Sequence, residues 1–230
     1  MDKRIELLDL WRSLCVVLMV IYHLLYDLTV FDFIPSDFIM SGWGRFFAVS
    51  VSGSFVFIAG ISSTLSRNNI RRGFYVLAAG LAVMLGAGMV GADIRFGVLQ
   101  LLGLSMVFYG AAKDYLKKIP FRVAPVLWLF LAVGTWLWTS SVTTELKFLY
   151  PLGFVYDDFV SADYVPIFPW IFVFLMGTWI GEVTRKKRIS RIYGLKMPAA
   201  VLWPGRHSLA VYIIHQPVIY AAVWAAARWG

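Results

Sequence analysis

Seven stretches of this 230-residue chain are apolar over about the length that crosses a bilayer. A hydrocarbon core about 30 Å thick takes roughly 20 helical residues. The stretches run approximately over Trp11–Val30, Trp43–Ser66, Arg72–Val90, Phe96–Ala112, Phe121–Thr139, Ile167–Val183 and Ser208–Arg228. In lipid a backbone must satisfy its own hydrogen bonds, which a helix does within one segment. The third and fourth stretches are short and rich in glycine, so their limits are soft; glycine also lets membrane helices approach closely. The expectation is an all-α, polytopic transmembrane helical bundle of about seven spans, one domain over residues 1–230, without internal repeats.

Composition agrees. Hydrophobic residues make up 60% of the chain and charged residues 15%, too little polar surface for a soluble domain of this size. Ten Trp, eleven Tyr and eighteen Phe suit the aromatic belts at bilayer interfaces. The first apolar run is too long, and too polar at its ends, for a cleaved signal peptide, and reads as a retained span. The single cysteine, Cys15, lies inside it, so an intrachain disulfide is excluded. No Cys/His cluster has metal-ligand spacing, and no metal is expected.

The net charge of +8 does not point to nucleic acid, because the charges fall in short loops between apolar runs. Lys3 and Arg4 precede the first span. Arg67, Arg71 and Arg72 follow the second. Lys113, Lys117, Lys118 and Arg122 follow the fourth. The loop before the last span holds Arg185, Lys186, Lys187, Arg188, Arg191, Lys196 and Arg206. The opposite side has only Arg45, Arg95, Lys147 and Arg228. Positive charge stays inside, so the amino terminus is expected in the cytoplasm and the carboxyl terminus outside. The longest outer loop, about 140–166, is rich in Tyr, Phe and Asp. It reads as a lid over an outward-facing cavity or as a plain connector.

Ionisable residues inside a span cost roughly 2.5–3.5 kcal/mol each on insertion scales and normally face the protein interior. The first span carries Arg12 and His23, eleven residues apart. That is almost three turns, so they share a face about 16 Å apart along the axis. Asp27 is four residues beyond His23, where it could contact the imidazole. Arg12 is placed to hold an anionic group near one membrane boundary. A neutral imidazole oriented by a carboxylate is suited to general-base work. The competing reading is that Arg12 snorkels to lipid phosphate and His23 bonds across helices.

The last span opens Gly205-Arg206-His207-Ser208 and continues to Tyr212 and His215-Gln216-Pro217. Ser208, Tyr212 and His215 form a polar stripe at i, i+4 and i+7. Pro217 frees a backbone carbonyl one turn earlier and should kink the helix. His215, Tyr212 and Gln216 are therefore candidate cavity residues, or interhelical glue. Arg206 and His207 mark the cytoplasmic entrance. Asp163 and Trp170 frame the proline-rich entry to the sixth span, where Asp163 reaches an outer substrate or is an exposed loop acid. Gln100, just inside the fourth span, needs a hydrogen-bond partner there.

An Arg and a His separated by ten residues in the first span resemble the signature of acyltransferase-3-type membrane acyltransferases. Other segments are closer to a related bacterial family named for heparan-α-glucosaminide N-acetyltransferase. They are Leu8-Asp9-Leu10-Trp11-Arg12 with Tyr22-His23, Phe57-Ile58-Ala59-Gly60-Ile61-Ser62, Phe96-Gly97-Val98-Leu99-Gln100, Pro166-Ile167-Phe168-Pro169-Trp170, and Gly205-Arg206-His207-Ser208-Leu209 with Tyr212 and His215-Gln216-Pro217. The similarity covers nearly the whole chain in order.

This resemblance implies an integral membrane enzyme, in a bacterial plasma membrane, that moves an acetyl group from cytoplasmic acetyl-CoA to an amino sugar or other glycan beyond the membrane. By the same resemblance, Arg12 and His23 take the family's Arg and His positions, and Arg206, His207 and His215 match its last-helix motif. The acidic donor would be held by Arg12, Arg71, Arg72, Arg206 and His207. His23, Asp27 and His215 are the candidate catalytic residues, and Asp163, Trp170, Gln100, Tyr212 and Gln216 the candidate acceptor contacts. Two departures stand out: larger relatives have ten or more spans, and many bacterial members have His where this chain has Gln100. The alternatives are a transporter or flippase of a small polar or lipid-linked solute, and a non-catalytic scaffold pairing through Gly80, Gly86, Gly88 and Gly91. The expected partners are membrane lipids, the acyl donor and a glycan-like acceptor, with no nucleic acid; a homodimer is open for so small a bundle.

Overall fold

The computed structural model describes residues 5–89, 91–187 and 196–229. Lys3, Arg4, Arg188 and Arg191 of the basic loops lie outside the described residues. The long helices are α1 (Glu6–Val30), α3 (Gly42–Thr64), α4 (Asn69–Met89), α5 (Val98–Leu116), α6 (Ala124–Ser141), α7 (Ile167–Lys187) and α9 (Ser208–Trp229). Two shorter helices are α2 (Asp37–Met40) and α8 (Ala199–Arg206), and a 3-10 helix covers Lys147–Leu152. No strand occurs among the described residues; Phe96 and Tyr164 form an isolated bridge. The fold is all-α, as expected.

Each expected span is a helix, with one adjustment. Among the described residues, six helices (α1, α3, α4, α6, α7 and α9) are long and apolar enough to cross a membrane. α5 has 19 residues, but Gln100 near its start and Lys113-Asp114 near its end lower its mean hydropathy. It packs between α4 and α7 and buries Leu99, Leu101, Leu102, Gly103, Ser105 and Met106. A helix sheltered by protein needs less apolar character than one bathed in lipid. α1 begins five residues before the apolar run, because Glu6 and Asp9 in its first turn complement the positive end of the helix dipole.

The chain divides into two compact units, Met1–Phe55 with Ile189–Gly230, and Val56–Arg188. In the first, α1 packs against α8 and α9. Leu202 of α8 is fully buried, and Gly205 is seated on the α1 backbone at Asp9 and Ser13, where a Cβ would collide. α9 runs on through Pro217.

In the second unit glycines set the helix crossings. Gly60 of α3 and Gly177 of α7 each face the other's backbone, and Gly73 of α4 lies against Gly103 of α5. Such small-residue contacts let membrane helices approach closely. Gly80 packs on Leu99 and Gln100, whereas Gly86, Gly88 and Gly91 have open space beside them. Three buried hydroxyls of α3 and α7 bond to their own helix: Ser62 donates to Ile58 O (2.6 Å), Ser63 to Ala59 O (2.9 Å) and Thr178 to Leu175 O (2.7 Å).

The 142–166 segment is packed on itself. Phe159 sits among Tyr150, Tyr156 and Tyr164 at centroid distances of 6.0, 5.3 and 4.7 Å. Tyr164 donates its hydroxyl to Tyr150 O at 2.8 Å, and burial pushes its pKa up to about 12. The end of this segment pairs with the entry to α5: Ala162 N donates to Asp93 O and Val165 N to Phe96 O, both at 2.8 Å. Beside this pairing the Asp93 carboxylate binds the Arg95 guanidinium at 2.5 Å and raises its pKa.

Candidate functional site

The polar seam of the first unit is built from one face of α1. Asp9, Ser13, His23 and Asp27 recur at helical spacing, and Asp9, Ser13 and Asp27 are buried at 1%, 4% and 2% exposure. Isolated polar groups at such burial would be costly, so each needs a partner on the facing helices.

At the Asp9 end the partners come from α8. Arg12 donates to Asp9 Oδ1 at 2.9 Å, one turn along the same helix. Arg206, at the end of α8, places Nε 3.5 Å from Asp9 Oδ2 and Nη2 4.0 Å from Glu6 Oε1. Glu6 Oε2 accepts from Met197 N at 2.7 Å, and Ser13 Oγ from Gly205 N at 2.8 Å. The two guanidiniums are thus matched by two carboxylates, and both keep partial exposure, 22% and 31%. His207 closes α8; its Nδ1 lies 2.9 Å from Trp203 O and its ring is 4.8 Å from the Trp203 ring.

Further along α1, His23 meets His215 of α9. His215 Nε2 is 3.0 Å from His23 Nδ1, with ring centroids 4.9 Å apart. The surrounding carbonyls determine which nitrogens carry hydrogen. His215 Nδ1 faces Tyr212 O at 2.8 Å and Val211 O at 3.1 Å, so it is a donor. In a neutral ring its Nε2 is then an acceptor. His23 Nδ1 faces that acceptor and Met19 O at 3.1 Å, so it also carries the hydrogen. The lone pair of His23 is left on Nε2, which has no hydrogen-bond partner among the described residues.

One turn beyond, Gln216 Nε2 donates to both oxygens of Asp27, at 3.0 and 3.1 Å. The expectation that Asp27 orients His23 is therefore corrected. The i+4 spacing brings the two onto one face, but α9 supplies a nearer partner to each. Tyr212 stands one turn before His215, with its ring edge-on at 5.6 Å. Tyr22 is edge-on to His23 at 5.7 Å and stacks on Phe47 at 6.1 Å.

The other singled-out residues belong to the second unit. Arg71 and Arg72 are exposed on the first turn of α4, and the Arg71 guanidinium binds the Tyr75 hydroxyl at 3.2–3.3 Å. Gln100 uses both ends of its amide: Oε1 accepts from Gly97 N and Nε2 donates to Gly80 O, each at 3.1 Å. Asp163 Oδ2 accepts from Val98 N at 3.1 Å, placing a carboxylate at the start of α5 as the helix dipole favours. Trp170 lies on the first turns of α7, after the cis Phe168–Pro169 peptide.

Sequence reasoning missed Glu6 and Ser13, and gave no role to Asp9 and Gly205, which stood only inside quoted motifs. The signal was present in the i, i+3 pair Asp9 and Arg12, and in a glycine directly before Arg206.

Six long apolar helices among the described residues, with ionisable groups buried along α1, define an integral membrane protein. The family description "Heparan-alpha-glucosaminide N-acetyltransferase, catalytic" matches residues 4–217, and the chain belongs to this acetyltransferase family. No curated protein and no solved structure matches the chain significantly.

Proposed function

We propose that the chain transfers an acetyl group from cytoplasmic acetyl-CoA to a hydroxyl or amine of a saccharide-like acceptor on the far side of a bacterial plasma membrane. The observation that carries this reading is the His23–His215 pair, which leaves the lone pair of His23 Nε2 without a protein partner. Family membership supports the acetyl group as the moiety moved, and the asymmetry of Lys and Arg along the chain supports a cytoplasmic amino terminus. In this reading α5 is a seventh crossing, sheltered within its unit, and the carboxyl terminus is outside.

His23 Nε2 removes the proton from the acceptor N–H or O–H as that nitrogen or oxygen bonds to the thioester carbonyl carbon. The carbonyl electron pair moves onto its oxygen. When the carbonyl re-forms, the carbon–sulfur bond breaks. The His23 imidazolium returns its proton to the departing sulfur, leaving free coenzyme A and acetylated acceptor. His215 keeps the Nδ1 hydrogen of His23 in place, as second partners of functional imidazoles do. Acetylation of His23 itself before transfer is the less favoured variant.

The donor is polyanionic. Arg12 and Arg206 are the cations of the first unit's seam; Arg12 pairs with Asp9, and Arg206 with Asp9 and Glu6. His207, Arg71 and Arg72, all exposed, offer further contacts to phosphate.

Purified protein in detergent, given acetyl-CoA and glucosamine, tests the reading. His23→Ala should abolish acetyl transfer while the thermal unfolding transition is kept. Undiminished transfer by a folded His23→Ala protein removes the imidazole from the reaction.

A further inference from the structure

We propose that Gln216, held in place by Asp27, selects acceptors that carry a second hydrogen-bond donor about one helical turn from the atom that is acetylated. The inference rests on the transfer reading above and concerns the acceptor side of the same seam.

Asp27 is 2% exposed, and its two oxygens both accept from Gln216 Nε2. Turning the Gln216 amide over would set its oxygen against the carboxylate, so Asp27 fixes the orientation. Nε2 faces α1, and Oε1 is left. That oxygen is buried and has no hydrogen-bond partner among the described residues. Buried carbonyl oxygens are nearly always hydrogen-bonded, so this one is an acceptor open to a donor carried by a ligand. A ligand that brings a donor to it supplies what the closed seam lacks, which offsets part of the cost of entering between α1 and α9.

The spacing says where that donor must be. His23 and Asp27 are four residues apart, a rise of about 6 Å along α1, and Gln216 directly follows His215 on α9. An acceptor whose reacting N–H or O–H lies at His23 Nε2 therefore offers its second donor about 6 Å further toward Asp27. A ring bearing several hydroxyl or amino groups spans that distance. A ring with one amine and no other polar group does not. Gln216 is then an acceptor-binding residue, and Asp27 is a positioning residue that acts through it.

The test compares glucosamine with cyclohexylamine, two primary amines on six-membered rings, as acceptors for the full-length protein with acetyl-CoA. Gln216→Leu should raise the KM for glucosamine about tenfold, the scale of one lost uncharged hydrogen bond. It should leave kcat, and the KM for cyclohexylamine, nearly unchanged. Gln216→Met, close to isosteric, serves the same comparison if the leucine variant does not fold. Asp27→Asn frees the amide to turn and should move the glucosamine-to-cyclohexylamine ratio in the same direction, less far. A ratio that stays fixed in these variants, or equal losses for both amines, overturns the inference and leaves the transfer reading standing. If the wild-type protein acetylates neither amine, the inference and the transfer reading fall together.

Discussion

His215 Nε2 lies 3.0 Å from His23 Nδ1, and the far nitrogen of each ring has a different fate. His215 Nδ1 is committed to the carbonyls of its own helix, whereas His23 Nε2 is uncommitted. The pair resembles a base and its orienting group, with an imidazole where a carboxylate would be the commoner choice. An uncharged orienting partner suits a site inside a membrane, where a second formal charge would be expensive.

His215→Ala should therefore impair turnover without removing the base. The Nδ1 hydrogen of His23 keeps only Met19 O, and the ring is freer to turn. At metal-bound imidazoles the loss of such a partner costs about 10–100-fold, and the same scale is expected for this pair. The expected outcome is a kcat reduced within that range with little change in the KM for acetyl-CoA, read from initial rates at saturating acceptor. A variant with wild-type kcat would assign His215 to packing alone.

Gly205→Ala tests the seating of α8 on α1. The added Cβ would meet the Asp9 carbonyl and Ser13 Oγ, so α8 must shift outward and the Gly205–Ser13 hydrogen bond weaken. Overpacking of this kind costs about 1–3 kcal/mol. The melting temperature should fall, and retention of coenzyme A on the protein should weaken because Arg206 moves with the helix.

Gln100→Leu tests the amide at the start of α5. Here both ends of the amide are used inside the second unit. Removing them leaves Gly97 N and Gly80 O, both buried, without that partner, at a cost of about 1–3 kcal/mol. A lowered melting temperature is expected, with kcat reduced by no more than the loss of folded protein accounts for.

Tyr164→Phe should change how the outer loop responds to alkali. Tyr164 titrates at about 12 in the folded protein against an ordinary value of 10.0, because it is buried. Its contribution is fully present below pH 10 and is lost as pH rises from 10 toward 12, since the unfolded chain releases the proton first. Limited proteolysis between residues 142 and 166 should accelerate over that window in the wild type. In Tyr164→Phe the acceleration should be smaller. The variant should also be less protected at neutral pH, by the roughly 1 kcal/mol of the bond to Tyr150.

Much of this organisation is legible in the residue pattern, because apolar length and helical periodicity are local properties. They place every long helix to within a few residues, and put Arg12, His23 and Asp27 on one side of α1. What periodicity does not carry is which helix that side faces. Asp27 is at the right spacing for His23, yet Gln216 takes it, and His23 turns to His215; both partners lie more than 180 residues away. Arg206 reads in the sequence as a cation at the cytoplasmic entrance, and Asp9 and Glu6 engage it from the opposite end of the chain. Asp163 reads as an acceptor contact or an exposed loop acid, and in the fold its carboxylate caps α5 across 65 residues. α5 is the reverse case: its helix is visible, but its sheltered position lets it carry Gln100, Lys113 and Asp114, which depress the very signal used to find it.

The most direct measurement places the two substrates on opposite sides of a membrane. Protein is reconstituted into sealed vesicles with glucosamine trapped inside, and radiolabelled acetyl-CoA is added outside. The account predicts label on the trapped amine for wild type, none for His23→Ala, and a slow rate for His215→Ala. Labelling by His23→Ala at the wild-type rate, or no labelling of the trapped amine by wild type in intact vesicles, would contradict it.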